Sequence, residues 1–567
     1  MLPRRTLSAA SLAQLGNVWS FSACWVVAGL ILYMLADLPS GPAVFPDEVC
    51  RLAWARLLSG TAPAYDMSPA AFCQPYYPML LAPVLWFTSE SEAVYRAVFV
   101  INTAAASLCL PLAVRIALRH LEMKPCVAWT AGLAVLAFPA VTLFRNHALP
   151  EALLFPAVLM VFSTWCSWVD RPSWSRFYSL LLGSVVLFAL HQKMLVLPLA
   201  LISGAVIGHF FDRSRAYRIR LLGAGLGLSC LFLLNALVRS AGLDAGFAGS
   251  AAGGPEVAVR LLSPQYFLDI VVRAAGVMVY STWVTGGLVC LVGAGLLAAA
   301  ARFIRASAEP IDRFWKNTAF PVGLFVLLAG LTAVYFSSGA RFDTLFYGRH
   351  VNAALASLLL PAIAMVFQGR VDRAALIWLL AIPVITTIVL FAGLPDSDWF
   401  DFSRIHVHAA GPVMEWMFRL ESRSALLGFC VAIMGLSLLM GLTHFRGVLR
   451  LLGLVPFLVI TCFIHLTTRP FEGVTIEEAV PSSAASVLRS AEPCRIHFSA
   501  LNGGRLRMHQ YFRLQYYFPK CEIEMLEQTD QPPRGGLVVM RETYAECEND
   551  VVCHPLHPDL VLYRSVD

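Results

Sequence analysis

The chain has 567 residues, of which 58% are hydrophobic and only 14% charged, with a formal net charge of +6 and a mean hydropathy of +0.68. Soluble domains carry about 25% charged residues, so this composition excludes one and points to a multi-pass membrane protein. The basic residues sit in short clusters between apolar runs rather than in a tail or patch, which argues against nucleic acid as a partner.

The first apolar run, 18–38, is as long as a spanning helix and lacks the Ala-x-Ala exit of a cleavable signal peptide. Directly after it comes the stretch Phe45–Gly60, which opens with Asp47-Glu48. Its Leu52, Ala55 and Leu58 alternate with Arg51 and Arg56 at helical spacing, predicting a short amphipathic helix on the bilayer surface. Further runs long enough to span lie at 93–118, 126–144, 150–168, 219–238, 271–300, 317–336, 350–367, 374–394, 424–442 and 449–467. The run 177–210 is too long for one helix and is interrupted by His191-Gln192-Lys193, which predicts two shorter spans meeting at a polar tip. The total is about 13 spans.

Basic residues set the orientation. The segments 119–124, 171–176, 213–220, 302–316, 370–373 and 446–450 are basic and fall on one side with Arg4 and Arg5, which places them in the cytoplasm. The long mixed loops 39–92, 239–270, 337–349 and 395–423 then lie outside. An odd span count leaves 469–567 outside as well. That segment is charged and reads as helix 476–490, strand 495–498, helix 506–517 and strands 522–526, 536–540 and 560–563, a small extracytoplasmic α/β domain. The expected division is therefore 1–468, a transmembrane domain whose first outer loop is 39–92, and 469–567. In an oxidising compartment Cys494, Cys521, Cys547 and Cys553 permit two disulfides in any of three connectivities, and Cys50 with Cys73 is a further pair. The absence of an Asn-x-Ser/Thr sequon favours a bacterial inner membrane.

Two adjacent carboxylates where the chain leaves a span, stiffened by Pro46 and followed by Gln74-Pro75-Tyr76-Tyr77-Pro78, suggest chemistry at the lipid–water boundary. The bland alternative is that Asp47 and Glu48 simply cap the helix that follows. Glu48 can pair with Arg51 one turn on, or share the charge environment of Asp47, or hold a loop. Cations on the same side are Lys193, Arg341, Arg349 and Arg145, the last within Arg145-Asn146-His147. Each has a structural reading: Lys193 snorkels, Arg341 pairs with Asp343, and Arg145 belongs to a tight turn. Arg349-His350 opens a span against the positive-inside trend, which favours function. His406 and His408 near Asp396, Asp398 and Asp401 have metal-like spacing, but a wet loop of this kind usually binds nothing.

A long first outer loop opening with Asp-Glu and running into an amphipathic helix resembles glycosyltransferase superfamily C, similar to protein O-mannosyltransferases and lipid A aminoarabinose transferases. Phe188–Lys193 and Arg341–His350, with its Tyr347-Gly348-Arg349, match that pattern loosely. The resemblance implies a membrane enzyme that moves a sugar from a polyprenyl-phosphate donor to a glycan, lipid or protein acceptor on the extracytoplasmic face. It places the general base at Asp47, with Glu48 beside it. Lys193, Arg341, Arg349 and Arg145 become phosphate ligands, and Tyr76, Tyr77, Tyr347 and His350 substrate contacts. No cofactor is assigned, and a divalent metal stays open. The competing readings are a transporter or flippase for a lipid-linked glycan and a non-catalytic assembly subunit. Charged residues at span ends and the lack of an internal repeat count against the transporter.

Overall fold

The computed structural model describes residues 18–34, 45–61, 74–211, 263–306, 312–337, 347–370 and 373–392, with isolated positions between 222 and 237 and at 41, 435 and 480. In the C-terminal part it describes 482–491, 494–499, 513–518, 521–526, 537–541, 554–557 and 560–564. Arg341, the 395–423 loop and the expected spans 424–442 and 449–467 lie outside these residues, apart from Gly435, and 219–238 lies mostly outside them.

The helices in chain order are α1 (Val18–Met34), α2 (Phe45–Ser59), α3 (Tyr76–Leu85), α4 (Ser91–Ser107) and α5 (Cys109–Arg119). They continue as α6 (Pro125–Leu136), α7 (Pro139–Phe144), α8 (Glu151–Asp170), α9 (Trp174–Leu190) and α10 (Val196–Phe211). After these come α11 (Phe267–Val284), α12 (Leu288–Ala306), α13 (Arg313–Tyr335), α14 (Asn352–Gln368) and α15 (Arg373–Ala392). Prolines set much of the punctuation. Pro111 has no N–H for the carbonyl of Ser107, and α4 gives way to α5 there, although 91–119 still forms one apolar unit. Pro139 pushes Phe138 into extended backbone with ψ 126°, so the single span expected over 126–144 divides into α6 and α7. The run 177–210 divides at His191, where a 3-10 turn, Gln192–Leu195, joins α9 to α10.

Among the described residues four helices are long and apolar enough to cross a membrane: 91–119, 151–170, 267–284 and 313–335. Shorter apolar helices accompany them. Large apolar side chains such as Leu30, Met160, Leu182, Val326 and Ile388 are exposed on the outer faces, as lipid contact requires. At the centre is α14, buried from Asn352 to Val366 and packed against α6, α8, α12 and α13. A helix that is apolar all round belongs there, and Ala353, Ala354, Ala356, Ala362 and Ala364 let its neighbours approach closely. Gly369, in the left-handed region at φ +65°, ends it.

The C-terminal part contains α16 (Ser482–Ala491) and strands β1 (Arg495–Ser499), β2 (Glu522–Leu526), β3 (Leu537–Arg541), β4 (His554–His557) and β5 (Leu560–Arg564). They form one mixed sheet in the order β2-β1-β3-β5-β4, with β1 parallel to β2 and β3, and β5 antiparallel to β3 and β4. The strand β4 was not anticipated: its His-Pro-Leu-His has little strand character, and Pro555 is tolerated because β4 is an edge. Cys494 and Cys521 form a disulfide across the β1–β2 side. Cys50 is also disulfide-bonded, while Cys73, Cys547 and Cys553 lie outside the described residues.

The single span expected over 271–300 also divides, into α11 and α12, at Gly286-Gly287 with φ +57° and +87°, and the surface placement expected for α2 is corrected. Far from resting on a lipid surface, α2 is buried along Glu48–Arg56, and both Arg51 and Arg56 are covered. Its apolar side joins α3, the start of α4 and the C-terminal sheet in one continuous core that includes Val49, Trp54, Tyr95, Leu488, Phe498 and Tyr516. Its arginines are covered because the chain itself supplies partners: Arg56 donates to the carbonyls of Gln515 and Tyr516 at 3.2 and 3.1 Å and lies over the Tyr516 ring. Ser91 and Tyr516 exchange two more hydrogen bonds, 3.0 and 2.6 Å long.

Candidate active site

Four helix termini meet at one end of the bundle. Asp47 is in the first turn of α2, Glu151 is the first residue of α8 after Pro150, Lys193 is on the 3-10 turn between α9 and α10, and Arg349 is on a 3-10 turn, Gly348–His350, that feeds α14. Polar side chains are tolerable here because helix ends leave the hydrocarbon. The close approach depends on Gly348: a Cβ there would fall 1.8 Å from Cζ of Tyr280, whose hydroxyl donates to Asn352 Oδ1 at 2.9 Å.

Arg349 ties the cluster together. Its Nη1 pairs with Asp47 Oδ2, and its Nε donates to Glu151 Oε1 at 2.5 Å. Lys193 Nζ donates to the Arg349 carbonyl at 3.1 Å, and Arg51 donates to the Asp47 carbonyl. Burial works against the Arg349 charge, yet Glu151 and Asp47 outweigh it and hold its pKa well above the usual value. The side chains of Glu151 and Arg349 are 3% and 5% exposed, whereas that of Asp47 is 26% exposed. Asp47 is thus the carboxylate of this cluster that solvent reaches.

Among the described residues Arg51, Lys193 and Arg349 face Asp47 and Glu151; burial, opposed by Glu151, lowers the Lys193 pKa to about 7, so the cluster carries at most one positive charge in surplus at neutral pH. His191 Nε2 lies 3.6 Å from Glu151 Oε1, and His350 Nδ1 lies 3.2 Å from Thr332 Oγ1. For both imidazoles burial, then the nearby charge of Lys193, pushes the pKa well below the usual value, so they are neutral near pH 7. The rings of Tyr347 and His350 are 4.5 Å apart, with Phe336 4.3 Å from Tyr347.

Glu48 belongs to a different set. It is fully buried, and its Oε1 accepts from the Tyr95 hydroxyl and from the backbone N–H of Ala148 at 2.7 Å, with His147 Nδ1 3.6 Å away. Tyr77, also fully buried, donates to Asn102 Oδ1 at 3.1 Å, and Asn102 donates to the His147 carbonyl at 2.6 Å. These residues lock α2 and α3 onto the 146–148 turn. Tyr76 is half-buried at the start of α3. Arg145 is not brought to Asp47: it donates to the Leu32 carbonyl at 2.5 Å and lies over the Phe99 ring, fastening α1. No group of three or more His, Cys, Asp or Glu side chains placed to hold a metal occurs among the described residues, and His406 and His408 lie outside them.

Sequence reasoning missed Glu151, the role of Arg51 toward Asp47 and the role of Tyr95 toward Glu48. A signal for Glu151 was present, since it is the lone carboxylate between Glu122 and Asp170 and stands at the mouth of a span. Nothing in the sequence marks Tyr95 out from other interfacial tyrosines.

The chain matches no family model and no curated protein. Among solved structures it is similar to ArnT from Cupriavidus metallidurans in the apo state, with 15% identity, 98% of both chains covered and a TM-score of 0.47. ArnT from the same organism bound to undecaprenyl phosphate matches at 14% identity and TM-score 0.46, covering 96% of this chain and 98% of that one. Arabinosyltransferase EmbB from Mycobacterium smegmatis matches at 14% identity and TM-score 0.36, covering 84% of this chain and 44% of that one.

Proposed function

We propose that the chain is a glycosyltransferase of superfamily C, an integral membrane enzyme that moves a sugar from a polyprenyl-phosphate donor to an acceptor hydroxyl on the extracytoplasmic face. The observation that carries this reading is the pairing of the solvent-reached Asp47 with Arg349 beside Lys193 and Arg51, at helix ends where a lipid-tailed phosphate can arrive.

The chemistry follows from the charges. An Asp47 held by Arg349 is a poor base. A donor phosphate entering among Arg349, Lys193 and Arg51 competes for the guanidinium, because charge-assisted bonds to phosphate are strong. Asp47 is then released to act only when the donor is in place. It takes the proton of the acceptor hydroxyl as that oxygen forms a bond to the anomeric carbon. The bond from that carbon to the phosphate oxygen breaks, and its electron pair leaves on the phosphate, stabilised by the same cations. A single displacement inverts the anomeric centre. Glu151 keeps Arg349 oriented, and Glu48 holds α2 at the angle that presents Asp47.

Release of polyprenyl phosphate from a polyprenyl-phosphate sugar by the purified full-length chain tests the reading. Release that depends on added acceptor and is accompanied by a glycosylated product supports a transferase. Movement of intact donor across a vesicle bilayer with no bond cleavage identifies a flippase instead, and no activity toward any such donor leaves an assembly subunit.

A further inference from the structure

At the opposite end of the bundle is a cleft of about 640 Å³ lined by Arg119, Arg171, Arg176, Arg313, Lys316 and Asp170 among others. The one carboxylate among its described lining residues is taken: Arg313 Nε and Nη2 grip Asp170 at 2.5 and 2.6 Å, while Nη1 reaches Glu122 at 3.0 Å. Arg176 donates to the carbonyls of Ser167 and Arg171 at 2.9 and 2.7 Å. Arg119, Arg171 and Lys316 have no carboxylate partner among the described residues. All three are exposed, so water screens their mutual repulsion, and their like charges add up to an attraction for an anion entering the cleft.

Depth identifies the anion. Helix α8 carries Glu151 at one end and Asp170 at the other, and its 20 residues span roughly 30 Å, the thickness of a hydrocarbon core. With the first cluster at one boundary of the membrane, the cleft falls at the other. Tryptophans flank it there: the rings of Trp165 and Trp168 are 5.4 Å apart, Trp174 is 5.5 Å from Phe177, and Trp165 Nε1 donates to the Lys316 carbonyl at 3.0 Å. Indoles prefer the headgroup level. Basic pockets between helices at that level suit anionic lipid headgroups.

We propose that this cleft binds the phosphate headgroup of an anionic phospholipid, held by Arg119, Arg171 and Lys316 while the Arg313–Asp170 pair forms its floor. The site is separate from the Asp47 cluster and stands whether or not the transferase reading does.

Binding of dioleoylphosphatidylglycerol and dioleoylphosphatidylcholine to the delipidated full-length chain, followed by native mass spectrometry and thermal shift, tests it. The wild type should prefer phosphatidylglycerol by on the order of 10²-fold, and the triple variant Arg119→Gln, Arg171→Gln, Lys316→Gln should lose that preference. Lys316→Gln alone, an exposed position, should lose part of it, about 5-fold. A control with Arg96→Gln and Arg489→Gln, charges that do not line the cleft, should keep it. A preference retained in the triple variant overturns the site, and equal stabilisation by inorganic phosphate overturns the lipid as its occupant.

Discussion

Replacing Arg349 by Met removes a group that both Asp47 and Glu151 hold. Glu151, 3% exposed, then keeps a carboxylate with its strongest partner gone, and stripping one side of a buried pair costs about 3–5 kcal/mol. Asp47 contributes less to that cost, because at 26% exposure water can replace the guanidinium. Adding Glu151→Gln should therefore recover part of the loss, with a coupling of about 0.5–3 kcal/mol between the two sites. Activity should not recover, since the cation proposed to hold the phosphate is still missing. Thermal unfolding of the purified variants in one detergent reads stability, and donor turnover reads function. Arg349→Met with unchanged melting, or a double variant that loses the full sum of both single costs, would refute the bridging role.

Arg56→Ala removes two hydrogen bonds and a ring contact that hold the 515–516 backbone against α2. It should expose that junction to limited proteolysis and lower turnover, and a protected junction in the variant would contradict the docking. Gly348→Ala drives a methyl into the Tyr280 ring. Overpacking of this kind costs about 1–3 kcal/mol, and Tyr280→Ala in the same background should regain part of the melting temperature. The pH dependence of stability has a defined sign. His350 has a lowered folded pKa, so its neutral form imposes no penalty above the unfolded value of about 6.5. Below that pH the unfolded chain takes up the proton first and stability falls toward the lowered folded value. His350→Gln should flatten the slope of melting temperature between pH 7 and 5, and an unchanged slope would assign the effect elsewhere.

Much of the helical pattern was legible because apolar length and proline position act locally: the break at His191, the start of α8 after Pro150 and strands β1, β2, β3 and β5 are all written in short windows. What spans distance was not. Asp47 and Arg349 are 302 positions apart, and their sequence shows only that each stands at a membrane boundary with an unusual charge. The burial of α2 escaped notice because an amphipathic pattern states which side is apolar and not whether lipid or protein covers it. Asp47-Glu48 reads as a pair, yet one residue of helix rotation, about 100°, sends Asp47 toward Arg349 and Glu48 into the Tyr95–Ala148 pocket. In sequence, Arg145 shares only a side of the membrane with the other cations; the carbonyl of Leu32 near the end of α1 takes its guanidinium elsewhere.

The most direct test of the account is turnover of a polyprenyl-phosphate sugar by Asp47→Asn, measured beside donor binding by the same preparation. The isostere cannot take a proton, so the rate should fall by about 10² or more, while donor affinity holds or rises once Nη1 of Arg349 is freed from Asp47, with Glu151 still on its Nε. Wild-type turnover in Asp47→Asn would contradict the central claim.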